Sequence, residues 1–324
     1  MTWQGGPAVQ GASPTVSAEV RLPAPLRVSV ITVALNAAST IEETLASVLE
    51  QRAPFAIEHV CVDGGSKDGT RDIIDRYAAA NPLLRRIYEP DHGLYDAMNK
   101  GVRAAKGDYL VFLNADDYLL HATALADVMA SADDKPGLRP DVIAADVVMG
   151  QPGVWGYRYR RPPALLYWLR WTGMHPPHQG LLLHRSVFEA VGGFRTEYRV
   201  AADVIHWWEV MRRHPVRIHL PRRALSFMRS GATSNGSLKA HWRGNLEAWR
   251  FAHGQGGVVR AAVLVTTKLL QKVAEVRFAR PIDARMCPNT ARKISRQGGG
   301  STQPRSLGAQ TVPEQHRVLP QRRG

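Results

Sequence analysis

Between Arg27 and Asp117 the apolar and polar positions fall into blocks that read as strand, helix, strand, helix without interruption. Val28-Ser29-Val30-Ile31-Thr32-Val33 is a β-branched run of strand length, and Ile41, Leu45, Val48 and Leu49 recur behind it at helical spacing. Ser39, followed three residues later by Glu42, predicts a capping box at the start of that helix. A second unit repeats the order. Residues 58–62 form its strand, Asp63-Gly64-Gly65-Ser66 its exit turn, and Asp68 caps a helix that carries Ile73, Ile74 and Tyr77 until Asn81-Pro82 stops it. In the third unit a short strand at 86–88 leaves through Asp91-His92-Gly93, and a helix over 94–106 ends at Gly107. Tyr109-Leu110-Val111-Phe112-Leu113 then breaks off in Asn114-Ala115-Asp116-Asp117, a doubly buried strand with an amide and two acids at its carboxyl end.

Strands separated by single helices lie mostly parallel and are joined by right-handed crossovers, so an α/β fold follows. In an open parallel sheet ligands bind outside the carboxyl ends of the strands. Those ends carry Asn36, Asp63, Asp91 with Asp96, and Asn114 with Asp116, which are expected to converge on one crevice. No Gly-x-Gly-x-x-Gly follows the first strand and no Gly-Lys-Ser/Thr stands at a strand exit, so neither a dinucleotide fingerprint nor a P-loop is present. Acids cannot hold a phosphate directly, but a hard cation between them can bridge carboxylate and phosphate oxygens. Taken alone, an Asp-Asp pair serves equally well as a polar loop cap.

Four stretches carry a resemblance. Residues 28–36, Val62-Asp63-Gly64-Gly65-Ser66-Lys67-Asp68-Gly69-Thr70, residues 89–101 and Phe112-Leu113-Asn114-Ala115-Asp116-Asp117 resemble, in order, the motifs of family 2 glycosyltransferases, nearest to bacterial enzymes of exopolysaccharide and colanic-acid type. The likeness continues more weakly through His178-Gln179, Gly192-Gly193-Phe194 and Ala201-Ala202-Asp203, and covers about two thirds of the chain. It implies the GT-A fold, a mostly parallel sheet flanked by helices, here with a C-terminal helical extension. It implies a domain over 27–236, with a nucleotide-sugar half at 27–117 and an acceptor half at 118–236.

On these residues the resemblance implies a donor site of Thr32, Asn36, Asp63, Asp91, Asp96, Asn114 and Asp117, with Asp116 as ligand of Mg2+ or Mn2+. Asp63 would accept the imide N–H of uracil or thymine, which favours a UDP- or TDP-sugar; a turn-capping role is the alternative. Asp96 equally suits the first turn of its helix, where the dipole favours an acid. Asp203 matches the acid that takes the acceptor's proton in inverting transfer, although it also reads as a helix N-cap. His178 and Gln179 fall on the acceptor side, where a core histidine is the other reading. Two positions depart from the family's pattern. Asn114 replaces the first acid of Asp-x-Asp, so the cation would be bound weakly, and Gly64 replaces the second acid of Asp-Asp-Gly-Ser. Arg158, Arg160 and Arg161 suit a diphosphate or an acidic acceptor as well as a solvated face.

Composition narrows this further. With 44% apolar residues in 324, the chain can fill a real core. Two cysteines, Cys61 and Cys287, make neither a disulfide framework nor a metal-ligand spacing, so a reducing, cytoplasmic setting fits. The net charge of +14 is uneven: from residue 239 onward 16 Lys and Arg face 4 Asp and Glu, leaving about +2 for residues 1–238. Residues 237–283 read as two amphipathic basic helices broken at Gly254-Gln255-Gly256-Gly257, with Trp242, Leu246 and Trp249 on one face of the first. Residues 1–26 read as a disordered leader and 284–324 as a disordered basic tail. Trp and Leu among Arg suit an anionic lipid surface better than nucleic acid, so a peripheral position at the inner membrane face is expected, with a glycan or polyprenyl-linked acceptor. The longest apolar runs fall far short of a membrane span. Two rivals remain: a nucleotidyltransferase, which needs a basic Gly-rich loop where Leu35-Asn36-Ala37-Ala38 stands, and a non-catalytic nucleic-acid-binding protein acting through the tail.

Overall fold

The computed structural model describes residues 27–132, 139–151, 155–159, 175–213, 216–230 and 238–278. Strands β1 (Arg27–Ala34), β2 (Ala56–Asp63), β3 (Leu84–Tyr88) and β4 (Tyr109–Phe112) lie parallel in the spatial order β3-β2-β1-β4. The crossovers that impose this order are α1 (Ile41–Leu49), α2 (Thr70–Ala80) and α3 (Leu94–Ala104). Seven of the eight β1 residues are buried, as a central strand covered on both faces requires. One face packs Ile31, Val62, Met98, Leu110 and Phe112 against α3 and later helices; the other packs Val28, Val30 and Val111 against Val48 and Leu125. Helix α3 seats directly on β1 because Gly101 has no Cβ; one placed there would run into Ile31 Cγ2.

The second half completes this sheet and builds another. After β5 (Tyr118–Leu119) come α4 (Ala124–Ala130), β6 (Val142–Ala144), β7 (Asp146–Gln151) and β8 (Trp155–Tyr159). A 3₁₀ turn at His178–Gly180 leads into β9 (Leu181–His184), then α5 (Arg185–Val191), α6 (Ala202–Arg213), β10 (Ile218–His219), β11 (Ala224–Arg229) and α7 (Leu238–Phe278). Strand β9 runs antiparallel to β4 and β6 and β10 parallel to β6, giving a seven-stranded sheet in the order β10-β6-β9-β4-β1-β2-β3. The other sheet, β5-β11-β7-β8, begins one residue after Asp117 and so closes over the carboxyl end of β4.

Two expected caps form differently. Thr40, with no side-chain cap bond, precedes α1, and Glu42 pairs instead with Arg76 of α2 at 2.9 Å, so no Ser39–Glu42 box exists. Gly69, at φ +88, stands at the N-cap of α2, a conformation that favours glycine. Asp68 still serves that helix, accepting from Thr70 N at 3.1 Å, and reaches back to Ala38 N at 3.0 Å.

The C-terminal stretch α7 is two helices joined end to end, because Gly256 and Gly257 leave helical geometry within the glycine run where the sequence places the break. Ala248, Phe251, Ala252, Ala261 and Leu264 pack on Ala201, Ile205 and Trp208. The expected apolar stripe points mostly the other way: Trp249 is partly packed, while Trp242 is 74% and Leu246 38% exposed. Glu247, 8% exposed, accepts from Val200 N at 2.8 Å and Ala201 N at 3.0 Å, and so supplies the acceptor that the start of α6 needs. Among the described residues no helix is long and apolar enough to cross a membrane. The leader at 1–26, the tail at 284–324 and Arg160 and Arg161 lie outside the described residues. Arg158 is tied to Asp146 at 2.7 Å and to the Arg222 carbonyl at 2.9 Å.

Candidate active site

Parallel pairing of β1 to β4 brings their four exit loops to one edge. At the end of β2, Asp63 is fully buried, and its Oδ1 accepts from Gly65 N (3.1 Å), Ser66 N (3.0 Å) and Arg71 Nε (2.7 Å). Burial raises its pKa, yet the bonds from Ser66, Arg71 and Gly65 outweigh that and lower it. Its Oδ2 is buried and has no partner. Beside it Asp91, bonded to Gly93 N at 2.9 Å, lies against Gly64, where a Cβ would collide with its Oδ2. That contact accounts for the missing second acid of the exit turn: the space is taken by an acid from the loop that follows β3. Arg71 also stacks on Tyr88, its Cζ 5.0 Å from the ring centroid.

Asn36, at φ +50, accepts from Lys67 N at 2.9 Å and donates its own N–H to Ser66 Oγ at 2.7 Å. It therefore braces the loop that follows β2. Three expected donor-site residues are engaged by protein partners. Thr32 is wholly buried, its hydroxyl 2.9 Å from the buried His59 Nε2. Asp96 accepts from His92 N at 3.1 Å and faces Lys100 at 3.6 Å, the first-turn role. Asp117 is 1% exposed, and its two oxygens accept from Arg229 N (3.0 Å) and Gln179 Nε2 (2.9 Å). Burial and then the Asp116 charge push its pKa up to about 8, against those bonds.

Across the end of β4, Asn114 Oδ1 is buried without a partner. Burial raises the pKa of Asp116, opposed by the charges of Arg229 and His178. The 3₁₀ turn approaches from the other side; a Cβ on Gly180 would lie 2.6 Å from the Ala145 carbonyl, so only glycine lets His178 and Gln179 come this close. The turn is pinned by Ser226 Oγ donating to the Gln179 carbonyl at 2.7 Å. His178 Nδ1 is 3.7 Å from Asp203 Oδ2, and its Nε2 has no partner, like Gln179 Oε1.

Asp203 stands in the first turn of α6. Its Oδ1 accepts from the Tyr95 hydroxyl (3.1 Å) and Val204 N (2.8 Å), and its Oδ2 faces His175 Nε2 at 3.1 Å. Glu247 takes the N–H groups of Val200 and Ala201 just ahead of the helix, and Asp203 takes that of Val204 in its first turn, so Asp203 serves the helix start as well as facing His175 and His178. Burial raises its pKa, but His175 and His178 together hold it well below 3.8. Sequence reasoning missed His175, Tyr95 and Arg229. Arg229 is the cation of the acidic cluster: its Nε donates to the Asp116 carbonyl at 3.1 Å and its Nη2 to Glu43 at 2.6 Å. His-Pro-Pro-His at 175–178 was a visible signal, whereas nothing local marks Arg229 at the end of a short strand.

Comparison with known proteins places these features in a family. The family model described as Glycosyl transferase family 2 matches residues 29–214. A PGL/p-HBAD biosynthesis glycosyltransferase of Mycobacterium bovis is 34% identical over 180 residues, 54% of this chain and 66% of that protein, just under two thirds of its length. A putative teichuronic acid biosynthesis glycosyltransferase, TuaG of Bacillus subtilis, is 43% identical over 91 residues, covering 28% and 36% of the two chains. Among solved structures, the mannosyltransferase PcManGT from Pyrobaculum calidifontis, in complex with GDP-Man and Mn2+, superposes with a TM-score of 0.53 at 21% identity, covering 86% of this chain and 79% of that one. S. aureus TarS 1–349 in complex with UDP-GlcNAc gives 0.52 at 18% identity, covering 84% and 92%. These likenesses show the fold, which is GT-A.

Proposed function

Because the chain belongs to glycosyl transferase family 2, we propose that it moves one sugar from a nucleotide-diphosphate donor, of UDP or TDP type, to a hydroxyl of a surface-glycan or lipid-linked acceptor, with inversion and with Mg2+ or Mn2+. The observation that carries this reading is the set of buried polar atoms without partners at one sheet edge: Asp63 Oδ2, Asn114 Oδ1, His178 Nε2 and Gln179 Oε1. Buried polar groups are normally satisfied, so a cluster of open ones in a crevice awaits a polar ligand. Asp63 Oδ2 accepts the imide N–H of the base, while Arg71 and two loop amides hold its other oxygen in place. Asp91 lines the ribose side.

The residues fit a hard cation: Asp116 supplies one carboxylate and Asn114 a neutral amide oxygen, a sparse set that relies on the donor's phosphates to complete it. When bound, the ion would neutralise the diphosphate as it leaves. Asp203 takes the acceptor's proton. His175 and His178 keep that carboxylate ionised and Tyr95 fixes its orientation, so it is a weak but always deprotonated base that takes the proton as the acceptor oxygen forms its bond to the sugar. Arg229 ties the Asp116 backbone to Glu43 and offsets the acidic cluster.

The nucleotidyltransferase reading loses support here, because the loop after β1 spends its amides within the protein: Asn36 N on Ser66, Ala37 N on Thr70 and Ala38 N on Asp68. An anionic membrane surface is proposed as a second partner on the exposed Trp242 and Leu246 of α7. The test of the transfer chemistry is Asp203→Asn, assayed for glycosyl transfer beside calorimetric titration of the donor. Turnover should fall by a factor on the order of 10²–10⁴ with donor affinity near wild type. Near-normal turnover would remove Asp203 from the reaction, and lost donor binding would move it into the nucleotide site.

A further inference from the structure

Residues 195–200 lead into the helix start that carries Asp203, and none of them is buried, so the core does little to fix their course. Two side chains clamp the ends of this segment. Asn99 of α3 holds the first end, accepting from Phe194 N and donating to the Phe194 carbonyl, both at 2.8 Å. Glu247 of α7 holds the second. Its Oε1 accepts from Arg199 N at 3.2 Å, and its Oε2 from Val200 N at 2.8 Å and Ala201 N at 3.0 Å. Arg243, one turn earlier on α7, donates to Oε1 at 3.2 Å. Three successive backbone amides and a guanidinium thus converge on one buried carboxylate and match its four lone-pair directions. A second contact sets how closely α7 approaches. Gly244 is buried, and a Cβ there would lie 2.9 Å from Val200 Cγ1. Glycine weakens a helix interior, and here it lets the helix seat against Val200.

From Val200 the linkage reaches the reaction centre in one step. The Tyr95 hydroxyl lies 3.0 Å from the Val200 carbonyl and 3.1 Å from Asp203 Oδ1. A phenol has one proton to donate, so the two acceptors share it, and a shift of the Val200 backbone changes what Tyr95 gives to Asp203. Residue 247 lies beyond residues 29–214, which the family model matches. We propose that Glu247 is a positioning residue for sugar transfer: from the C-terminal extension it fixes the backbone of 199–201 and, through Val200 and Tyr95, the orientation of the Asp203 carboxylate. This role rests on the reading of Asp203 as the group that takes the acceptor's proton. Glu247 touches none of the donor-side residues, so its loss shows in turnover and not in nucleotide binding. A misplacement of about 1 Å at a reacting group can cost on the order of 10²-fold in rate.

The test is Glu247→Gln in the full chain, which keeps the size of the side chain but sets an NH2 group against backbone N–H donors. Transfer from UDP-glucose to octyl glucoside is assayed beside calorimetric titration of UDP with Mn2+, which counts folded sites. Turnover per site should fall about tenfold or more with UDP affinity near wild type. A crystal structure of the variant should show the Tyr95 hydroxyl beyond hydrogen-bond distance of Asp203. Gly244→Ala should lower turnover in the same way, and adding Val200→Ala, which removes the methyl group that the new Cβ meets, should restore it. A role confined to stability would move the unfolding midpoint and leave turnover per site unchanged. Wild-type turnover in Glu247→Gln, or a Tyr95–Asp203 contact that stays in place there, overturns the proposal. If the glutamine variant does not fold, the Gly244 pair decides, and a loss that Val200→Ala leaves uncorrected overturns it. Asp203→Asn, run alongside, separates the two claims. Near-normal turnover in that variant removes the base itself, whereas loss there with wild-type turnover in Glu247→Gln removes the role of Glu247 alone.

Discussion

Replacing Asp117 by Asn removes the fully buried acid of the Asp116-Asp117 pair and leaves its neighbour in place. Its carboxyl is buried, and its pKa is pushed up to about 8 from 3.8 by burial first and the Asp116 charge second. Between those two values the folded protein keeps a proton that the unfolded chain has already released. Stability therefore falls as pH rises across that window, by at most about 1.4 kcal/mol per pH unit. Asparagine has the same shape and does not titrate. Its Oδ1 still accepts from Arg229 N, and Gln179, whose Oε1 has no partner, can turn its amide to accept from the new NH2 group. At pH 5 the variant should match wild type within about 1 kcal/mol, since one hydrogen bond is exchanged for another. Its advantage should then grow steadily towards pH 8. The assay is urea unfolding of both proteins at pH 5, 6, 7 and 8. Other titrating groups cancel in the difference, except Asp116, whose coupling makes the result a property of the pair. Parallel stability curves, or a variant that loses ground as pH rises, would refute the reasoning.

Two further outcomes follow from the same geometry. Asp63→Asn places an NH2 group where Oδ2 stands, so affinity for uracil or thymine nucleotides should drop about tenfold or more, and the weakened Arg71 bond should cost about 1–3 kcal/mol by chemical denaturation; unchanged affinity would put the base elsewhere. Trp242→Gln removes an exposed indole from α7 and should weaken binding to anionic vesicles by about 1.5 kcal/mol, close to tenfold, in a sedimentation assay; equal binding would mean that this face does not meet lipid.

The first half of the molecule was legible because each of its units repeats a strong local signal. Residues 28–33 and 109–112 are apolar runs bounded by turn residues, and the helices between them carry spaced apolar faces. Caps were read less well. Ser39 and Glu42 match a capping box by spacing, but Glu42 finds Arg76 on another helix, a contact that no local pattern encodes. The second sheet was not read at all: β5 has two residues, too short for any period to show, and β7 and β11 pair across about eighty residues. For the site, sequence pattern located the exits of the strands but not which way each side chain turns. Thr32, Asp96 and Asp117 belong to the right segments yet bond inward or within their own turn. The stripe of Trp242 and Leu246 was legible as amphipathic, but which face would be covered depended on Ala248 and Phe251, small and aromatic residues that match the surface of α6.

The central claim is that the crevice at the end of β4 binds a nucleotide-sugar donor with a divalent ion held at Asp116. It is tested most directly by calorimetric titration of UDP-, TDP- and GDP-sugars into wild type and Asp116→Asn, each with Mn2+ and with chelator. The account predicts saturable binding to wild type that requires the ion, strongest for a uracil or thymine nucleotide, and its loss in Asp116→Asn while the unfolding midpoint stays close to wild type. Donor binding that survives both chelator and the Asp116 substitution would contradict it.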